Sequence, residues 1–195
     1  MGSFSYAILI YMKLITYQNK KAVDILLTTG ELKITKSEDM KTYHRFDNFG
    51  VSSFKEVYEY INDRMHKLIN NDDLDDKIIS PIWGWYKYPS IDELNIDNPD
   101  MYRIELEIDE DKVLLSDFDY YENIAIAGLD FFNLSKRKKE EIYSLGKHAL
   151  FKEYDRMISK YRLSRARYIQ ATFWKLKKEY VKSITRVKGE EVIYG

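Results

Sequence analysis

Residues 102–109 read YRIELEID and alternate an apolar with a charged side chain at every position. Because successive side chains of a β-strand point to opposite faces, the pattern predicts a strand with one buried and one solvent-facing side. Half-exposed strands of this kind build antiparallel sheets that are covered on one face. We therefore expect an α+β fold in which helices pack against a mainly antiparallel sheet.

Further strands are predicted on both sides of this stretch. Residues 6–16 form an apolar, β-branched run, and residues 113–119 form a strand or a strand end. Residues 168–174 and 180–187 read as two strands joined by a lysine-rich turn. These segments supply the neighbours that the central strand needs.

Three helical segments accompany the strands. Residues 20–29 form a short helix that Asn19 caps at its start and Gly30 at its end. A capping box at residues 53–56 begins the clearest helix, and residues 136–161 form a long charged one. The apolar stripe of the clearest helix consists of Phe54, Val57, Tyr58, Ile61, Met65, Leu68 and Ile69.

Composition narrows the class of protein. The 195 residues suit one domain over residues 1–195, and the absence of cysteine removes disulfides and thiolate chemistry. A formal net charge of −1 argues against a molecule-wide basic surface for gripping nucleic acid. The first residues fit neither a signal peptide nor a membrane span, so we expect a soluble cytoplasmic protein without a membrane partner.

Residues 81–88 read PIWGWYKY and concentrate four aromatic rings around Gly84. Two readings stay open: the rings pack in an ordinary core, or they form the wall of a site for a flat ring. Gly84 would let a backbone or a ligand approach the strand closely. Strand alternation predicts Trp83, Trp85 and Lys87 on one face and Tyr86 and Tyr88 on the other.

Metal chemistry has little support in the sequence. The three histidines lack the short spacings of a zinc site, and no glycine-rich loop follows a strand and opens a helix, so no metal is expected. A remaining alternative is a metal-dependent nuclease, although acids on an exposed strand face are usually only solvated. That alternative would use Glu105, Glu107, Asp117 and Asp119.

The order of several motifs resembles a bacterial and phage domain family of unknown function. The resemblance covers nearly the whole chain, and the strings P-x-W-x-W-Y and L-L-S-D-F-D are its most specific parts. The family pattern has tryptophan where this chain has Tyr17, which keeps an aromatic ring there. The matching stretches are residues 15–18 (ITYQ), 81–86 (PIWGWY), 106–108 (LEI), 114–119 (LLSDFD) and 169–174 (IQATFW).

A more distant resemblance is to the ADP-ribosyltransferase-like fold. The shared features are a first strand with a polar end, a helix, and then residues 30–32 (GEL). The resemblance implies a strongly curved sheet and NAD as the substrate. It also implies a polar residue on the first strand that holds the ribose, and aromatic rings that stack on nicotinamide. In this chain those roles would fall to Thr16, Gln18, Trp83, Trp85 and Tyr86.

The same resemblance places Gln170 where a late-strand glutamate is expected. An amide can hydrogen-bond a ribose hydroxyl, but it carries no charge to stabilise a cationic sugar. Glu107 or Asp117 would then supply the acid, or the fold would serve binding alone. Arg167 would meet the pyrophosphate, unless it is simply a surface residue.

The leading expectation is an NAD-binding protein that acts as a mono-ADP-ribosyltransferase or an NAD glycohydrolase. Its acceptor would be a nucleic acid or a protein. The alternative is a non-catalytic module that grips a nucleotide, a nucleic-acid base or a protein with Trp83, Trp85 and nearby tyrosines.

Overall fold

The structure, a computed structural model, describes residues 11–35, 52–69, 74, 77–88, 90, 100–188 and 191–195, with the backbone alone at 52–54. The beginning of the strand predicted over residues 6–16 lies outside these ranges. The side chains of the capping box at Ser53 and Phe54 are also outside what is described.

The described part of the chain contains nine strands, and all the pairs they form are antiparallel. They are β1 (Tyr11–Asn19), β2 (Glu31–Leu32), β3 (Ile82–Lys87), β4 (Met101–Asp109), β5 (Leu114–Asp117), β6 (Ile169–Phe173), β7 (Leu176–Lys177), β8 (Val181–Arg186) and β9 (Val192–Tyr194). Seven of them form one sheet in the order β5-β6-β3-β1-β4-β8-β9, while β2 pairs with β7. The expected mix of helices with an antiparallel sheet is therefore confirmed.

Helices account for most of the remaining described residues. They are α1 (Lys20–Thr29), α2 (Ser52–Leu68), α3 (Phe118–Ala127), α4 (Lys136–Ser144), α5 (Lys147–Tyr154) and α6 (Lys160–Leu163). The prediction of one long helix over residues 136–161 was wrong. Gly146 adopts a positive φ of 79° and separates α4 from α5, and a 3-10 turn at Asp155–Ile158 ends α5.

Local signals at its two ends determine α1. The Asn19 side chain accepts a hydrogen bond from the Ala22 backbone N–H at 2.9 Å. Gly30 has a φ of 85° and donates its N–H to the Leu26 carbonyl. Both predicted caps are confirmed, because each depends only on residues within one helical turn.

The large sheet separates two apolar layers. We call its two sides the back face, which carries Leu14, Ile104 and Ala171, and the front face, which carries Ile15, Trp85 and Glu105. The back face is covered by α1 and the β2–β7 pair. It forms a continuous buried layer whose members include Leu14, Val23, Leu26, Leu32, Ile82, Ile104, Leu106, Ile108, Phe173, Leu176 and Ile184.

The described helices cover the front face over only part of its width. Helices α2, α3 and α5 pack on the β5 and β6 side of the sheet, and Val57, Ile61 and Met65 of α2 are buried there. Leu68, which was predicted in the same stripe, is 58% exposed. On β4 every front-face side chain is half-buried, so this side of the sheet remains accessible.

Candidate functional site

A β-bulge changes the direction of the aromatic side chains on β3. Trp85 lies opposite Gln170 of β6, and Lys87 lies opposite Ile169, so one extra residue stands between them on β3. A bulge leaves two successive side chains on the same side of the sheet. The prediction that the tyrosines and tryptophans face opposite ways was therefore wrong, because alternation is broken after Trp85.

The bulge places three aromatic residues beside one open depression, which we call the front groove. Trp85, Tyr86 and Tyr88 line it together, whereas Lys87 turns away and donates a hydrogen bond from Nζ to the Ala166 carbonyl at 2.6 Å. The groove has a volume of about 360 Å³ and lies over β3, β1, β4 and β8. Its other side-chain lining consists of Lys13, Ile15, Arg103, Glu105, Glu107 and Lys182.

Ion pairs organise the charged side of the front groove. Arg103 Nη1 lies 2.5 Å from Glu105 Oε1, and Lys182 Nζ lies 2.9 Å from Glu107 Oε2. The hydrogen bond from Lys182 lowers the pKa of Glu107, and the charges of Lys182 and Lys13 add to this effect. Glu107 is therefore a carboxylate at neutral pH.

Arg103 stands at the junction of the charged and aromatic sides. Burial lowers the pKa of Arg103, but the neighbouring Glu105 carboxylate and Tyr88 outweigh that effect and raise it. Arg103 is paired in register with Tyr17 on β1. Burial raises the pKa of Tyr17, while the charge and hydrogen bond of Arg103 act in the opposite direction.

The two neighbouring tryptophans share the front face but have different surroundings. The Trp83 ring lies 6.2 Å from Tyr58 and 5.1 Å from Tyr121, within the layer beneath α2 and α3. The Trp85 ring meets Phe118 edge-on at 4.9 Å and lines the front groove. Trp83 is thus a packing residue, while Trp85 forms the boundary between the packed and open parts of the sheet.

Thr16 and Gln18 lie on the back face, on the far side of the sheet from the front groove. Thr16 Oγ1 donates to the Trp83 carbonyl at 2.7 Å, and Gln18 Nε2 donates to Thr16 Oγ1 at 2.9 Å. Both residues are buried, and Gln18 Oε1 has no hydrogen-bond partner within the described ranges. The structure therefore does not bring the predicted ribose-holding residues together with Trp85.

Gln170 is on the front face but outside the groove. It lies between Trp85 and Ser116 in register, is 7% exposed, and its Oε1 has no partner among the described residues. Its strand is three positions from β4 in the sheet, which is about 14 Å at the usual spacing of strands. Gln170 and Glu107 are therefore not neighbours.

Asp117 has a structural environment. Its Oδ1 accepts from the Tyr120 backbone N–H at 3.3 Å at the start of α3. Its Oδ2 accepts from Nε and Nη2 of Arg162 at 3.2 and 3.0 Å. The residue is fully buried, and both of its oxygens are engaged.

The carboxylates of the nuclease alternative are separated in the sheet. The strand that ends at Asp117 lies four positions from β4, which is about 19 Å, and Asp119 is exposed on α3. Within the described residues, no group of three or more acids and histidines could hold a metal ion.

Arg167 lies away from the front groove lining. It is exposed, and its guanidinium stacks over the ring of Tyr168 with 4.7 Å between guanidinium carbon and ring centroid. The groove residues that the sequence did not predict are Lys13, Arg103 and Lys182. Arg103 could have been singled out from the sequence, because it is the single cation on the exposed side of residues 102–109.

Comparisons with known proteins identify a family. No curated protein and no solved structure gives a significant match, so the resemblance to the ADP-ribosyltransferase-like fold has no structural neighbour behind it. Among the described helices, none combines the length and apolar character needed to cross a bilayer. The model of a domain of unknown function matches residues 13–130, which include all of the front groove lining except Lys182. The chain therefore belongs to the DUF3841 family of domains of unknown function.

Proposed function

We propose that this chain is a nucleotide-binding module whose front groove holds a flat ring against Trp85, Tyr86 and Tyr88. The observation that carries the proposal is the bulge on β3, which gathers these three residues at one accessible surface. Stacking of a base on such a ring contributes about 1–3 kcal/mol per base. The adjoining cations Arg103 and Lys13 suit the anionic part of a nucleotide.

The exposure of these rings favours binding over a purely structural role. Tyr86 and Tyr88 are 48% and 47% exposed, although aromatic side chains contribute most when their area is buried. Trp83, on the same strand, has the enclosed environment that a packing role requires. Aromatic rings grouped at an open groove beside charged groups form a surface that a planar ligand would cover.

NAD is the first ligand to examine, because it combines two flat rings with a pyrophosphate. A second candidate function follows from Glu107, which lines the same groove as Trp85. Its carboxylate supplies the negative charge that Gln170 lacks for stabilising a cationic ribose. In this second candidate function, the chain cleaves NAD or transfers ADP-ribose to a nucleic-acid or protein acceptor. Thr16 and Gln18 take no part, because they lie on the other face of the sheet.

Binding is tested by titrating the full chain with NAD, ATP and AMP while following tryptophan fluorescence and binding heat. We expect Trp85→Ala to weaken the affinity about 5- to 150-fold, the loss of one stacking contact. Trp174→Phe is the matched control, since Trp174 is buried outside the groove, and it should leave the affinity unchanged. Absence of binding at millimolar nucleotide would refute the proposal. Unchanged affinity in Trp85→Ala would show that the ligand does not stack on the Trp85 ring.

The catalytic version is tested separately by measuring nicotinamide released from NAD. Glu107→Gln keeps the size of the side chain but removes its charge, and it should abolish release while NAD still binds. Asp119→Asn removes an exposed acid on α3 and serves as the control with normal release. Normal release by Glu107→Gln, or none by the parent chain with any acceptor, would contradict catalysis at this groove.

A further inference from the structure

We infer that Arg103 is the phosphate-binding residue of the front groove, and that Glu105 competes with the ligand for its guanidinium. The inference rests on the proposed function and narrows it. The groove would select nucleoside phosphates over neutral nucleosides, and one of its own carboxylates would set how tightly they bind.

The position of Arg103 gives the first argument. Its side chain is 27% exposed and lines the groove that also contains Trp85. Across β1, Trp85 is paired with Ile15 and Arg103 with Tyr17, so the Cα atoms of Trp85 and Arg103 lie two strand spacings and a two-residue step apart, about 12 Å in all. A ring on Trp85 and an anion on Arg103 would therefore be separate groups of one ligand, as the base and the phosphate of a nucleotide are.

The surroundings of Arg103 give the second argument. The ion pair with Glu105 holds the guanidinium on the groove side of β4, where Arg103 is in register with Tyr17 and shares the groove lining with Tyr88. A planar guanidinium with a fixed orientation binds a phosphate through two parallel N–H donors and loses little side-chain freedom in doing so. Lys13 and Lys182 complete a set of three cations facing two carboxylates in the groove lining.

Glu105 gives the third argument. Its Oε1 lies 2.5 Å from Arg103 Nη1, so this carboxylate accepts from a donor that a phosphate oxygen would use. A bound phosphate must displace this contact and then lie beside a negative charge. Removing the charge of Glu105 should therefore strengthen phosphate binding, whereas removing that of Arg103 should weaken it.

The test compares AMP with adenosine by calorimetric titration of the full chain at fixed ionic strength. Arg103→Gln should weaken AMP about 10- to 100-fold, the loss of a charged hydrogen-bonding group, and leave adenosine unchanged. Glu105→Gln should tighten AMP about 3- to 10-fold, again without effect on adenosine. Arg103→Lys keeps the charge without the planar fork and should give an intermediate affinity.

Asp24→Asn is the matched control, because it removes one negative charge from α1 on the other side of the sheet, where Asp24 pairs with Lys20. Its AMP affinity should equal that of the parent chain. If AMP and adenosine bind the parent chain equally, phosphate recognition is refuted although the groove still binds the ring. If none of AMP, adenosine, ATP and NAD binds, the proposed function itself fails. Weaker AMP binding by Glu105→Gln would show that Glu105 positions Arg103 and would overturn the competition.

Discussion

At the scale of single residues, Gly84 shows why β3 needs a glycine between its tryptophans. A β-carbon at this position would lie 2.9 Å from the Ile15 carbonyl oxygen of β1 and 3.4 Å from the Phe173 ring. The close approach expected at this glycine is therefore made by a neighbouring strand and a core side chain on the back face. Gly84 contributes to the site only by letting β1 and β3 pair beneath it.

We predict that Gly84→Ala lowers the free energy of unfolding by about 1–3 kcal/mol, the usual cost of overpacking. Urea denaturation measures the change. Adding Phe173→Leu should not restore stability, because the closest atom is the backbone oxygen of Ile15, which cannot move aside as a side chain can. Unchanged stability in Gly84→Ala would show that the strands separate at little cost.

At the scale of elements, Asp117 joins two helices. It caps α3 through the Tyr120 N–H and accepts two hydrogen bonds from Arg162 of α6. The Arg162 guanidinium also lies 3.9 Å from the centroid of the Tyr120 ring. One buried carboxylate therefore determines both where α3 begins and where α6 attaches to the edge of the sheet.

We predict that Arg162→Leu destabilises the chain by about 2–4 kcal/mol, because it leaves the buried Asp117 charge without its cation. Chemical denaturation at pH 7 measures the loss. Asp117→Asn combined with Arg162→Leu should recover part of it, since asparagine still caps the helix.

The control for this pair is Arg165→Leu, which removes an exposed guanidinium that lies over the Tyr161 ring. Its free energy of unfolding should change by no more than about 0.5 kcal/mol. A similar loss in both arginine variants would contradict a specific role for the Asp117 pair.

The elements also show which structural features can be predicted from sequence. The limits of α1 depend on Asn19 and Gly30, and β4 depends on the alternation of residues 102–109, so both are local and were predicted correctly. Helix α3 was not predicted, because its capping residue Asp117 is also the last residue of β5 and the strand pattern runs straight into the helix. No helix was predicted over residues 118–127.

The candidate site was harder to predict because it depends on pairing between distant segments. The bulge that re-aims Tyr86 exists only relative to β6, more than eighty residues further along the chain. Likewise, the resemblance to the ADP-ribosyltransferase-like fold placed Thr16 and Gln18 with Trp85, but strand register puts them on opposite faces. Whether NAD is the ligand stays a prediction.

At the scale of the whole molecule, the layer between the front face and the helices buries several tyrosines. Burial raises the pKa of Tyr60, of Tyr121 and of Tyr154, with further increases from Asp155 at Tyr60 and from Glu56 at Tyr154. The folded chain thus keeps protons that the unfolded chain releases above about pH 10. The associated stability is complete below that pH and is lost as the pH rises further.

We predict that the free energy of unfolding falls between pH 9.5 and 11, by up to about 1.4 kcal/mol per pH unit for each such tyrosine. Urea denaturation across this range measures the slope. Tyr121→Phe keeps the aromatic ring but removes one titrating hydroxyl, so it should lower the pH dependence of the free energy of unfolding by the share of one proton. Tyr161→Phe, at an exposed position, is the control and should leave that pH dependence unchanged. If Tyr121→Phe leaves this pH dependence unchanged, groups other than Tyr121 cause the loss of stability at alkaline pH.

The alternation on β4 has a consequence for how such a surface can diversify. Arg103, Glu105 and Glu107 line the groove, and each is followed by one of Ile104, Leu106 and Ile108, which are fully or almost fully buried on the opposite face. Substitutions at the odd-numbered positions therefore change the groove lining without touching the interior. Under the proposed function, related chains could bind different ligands in this groove while keeping the same hydrophobic layer.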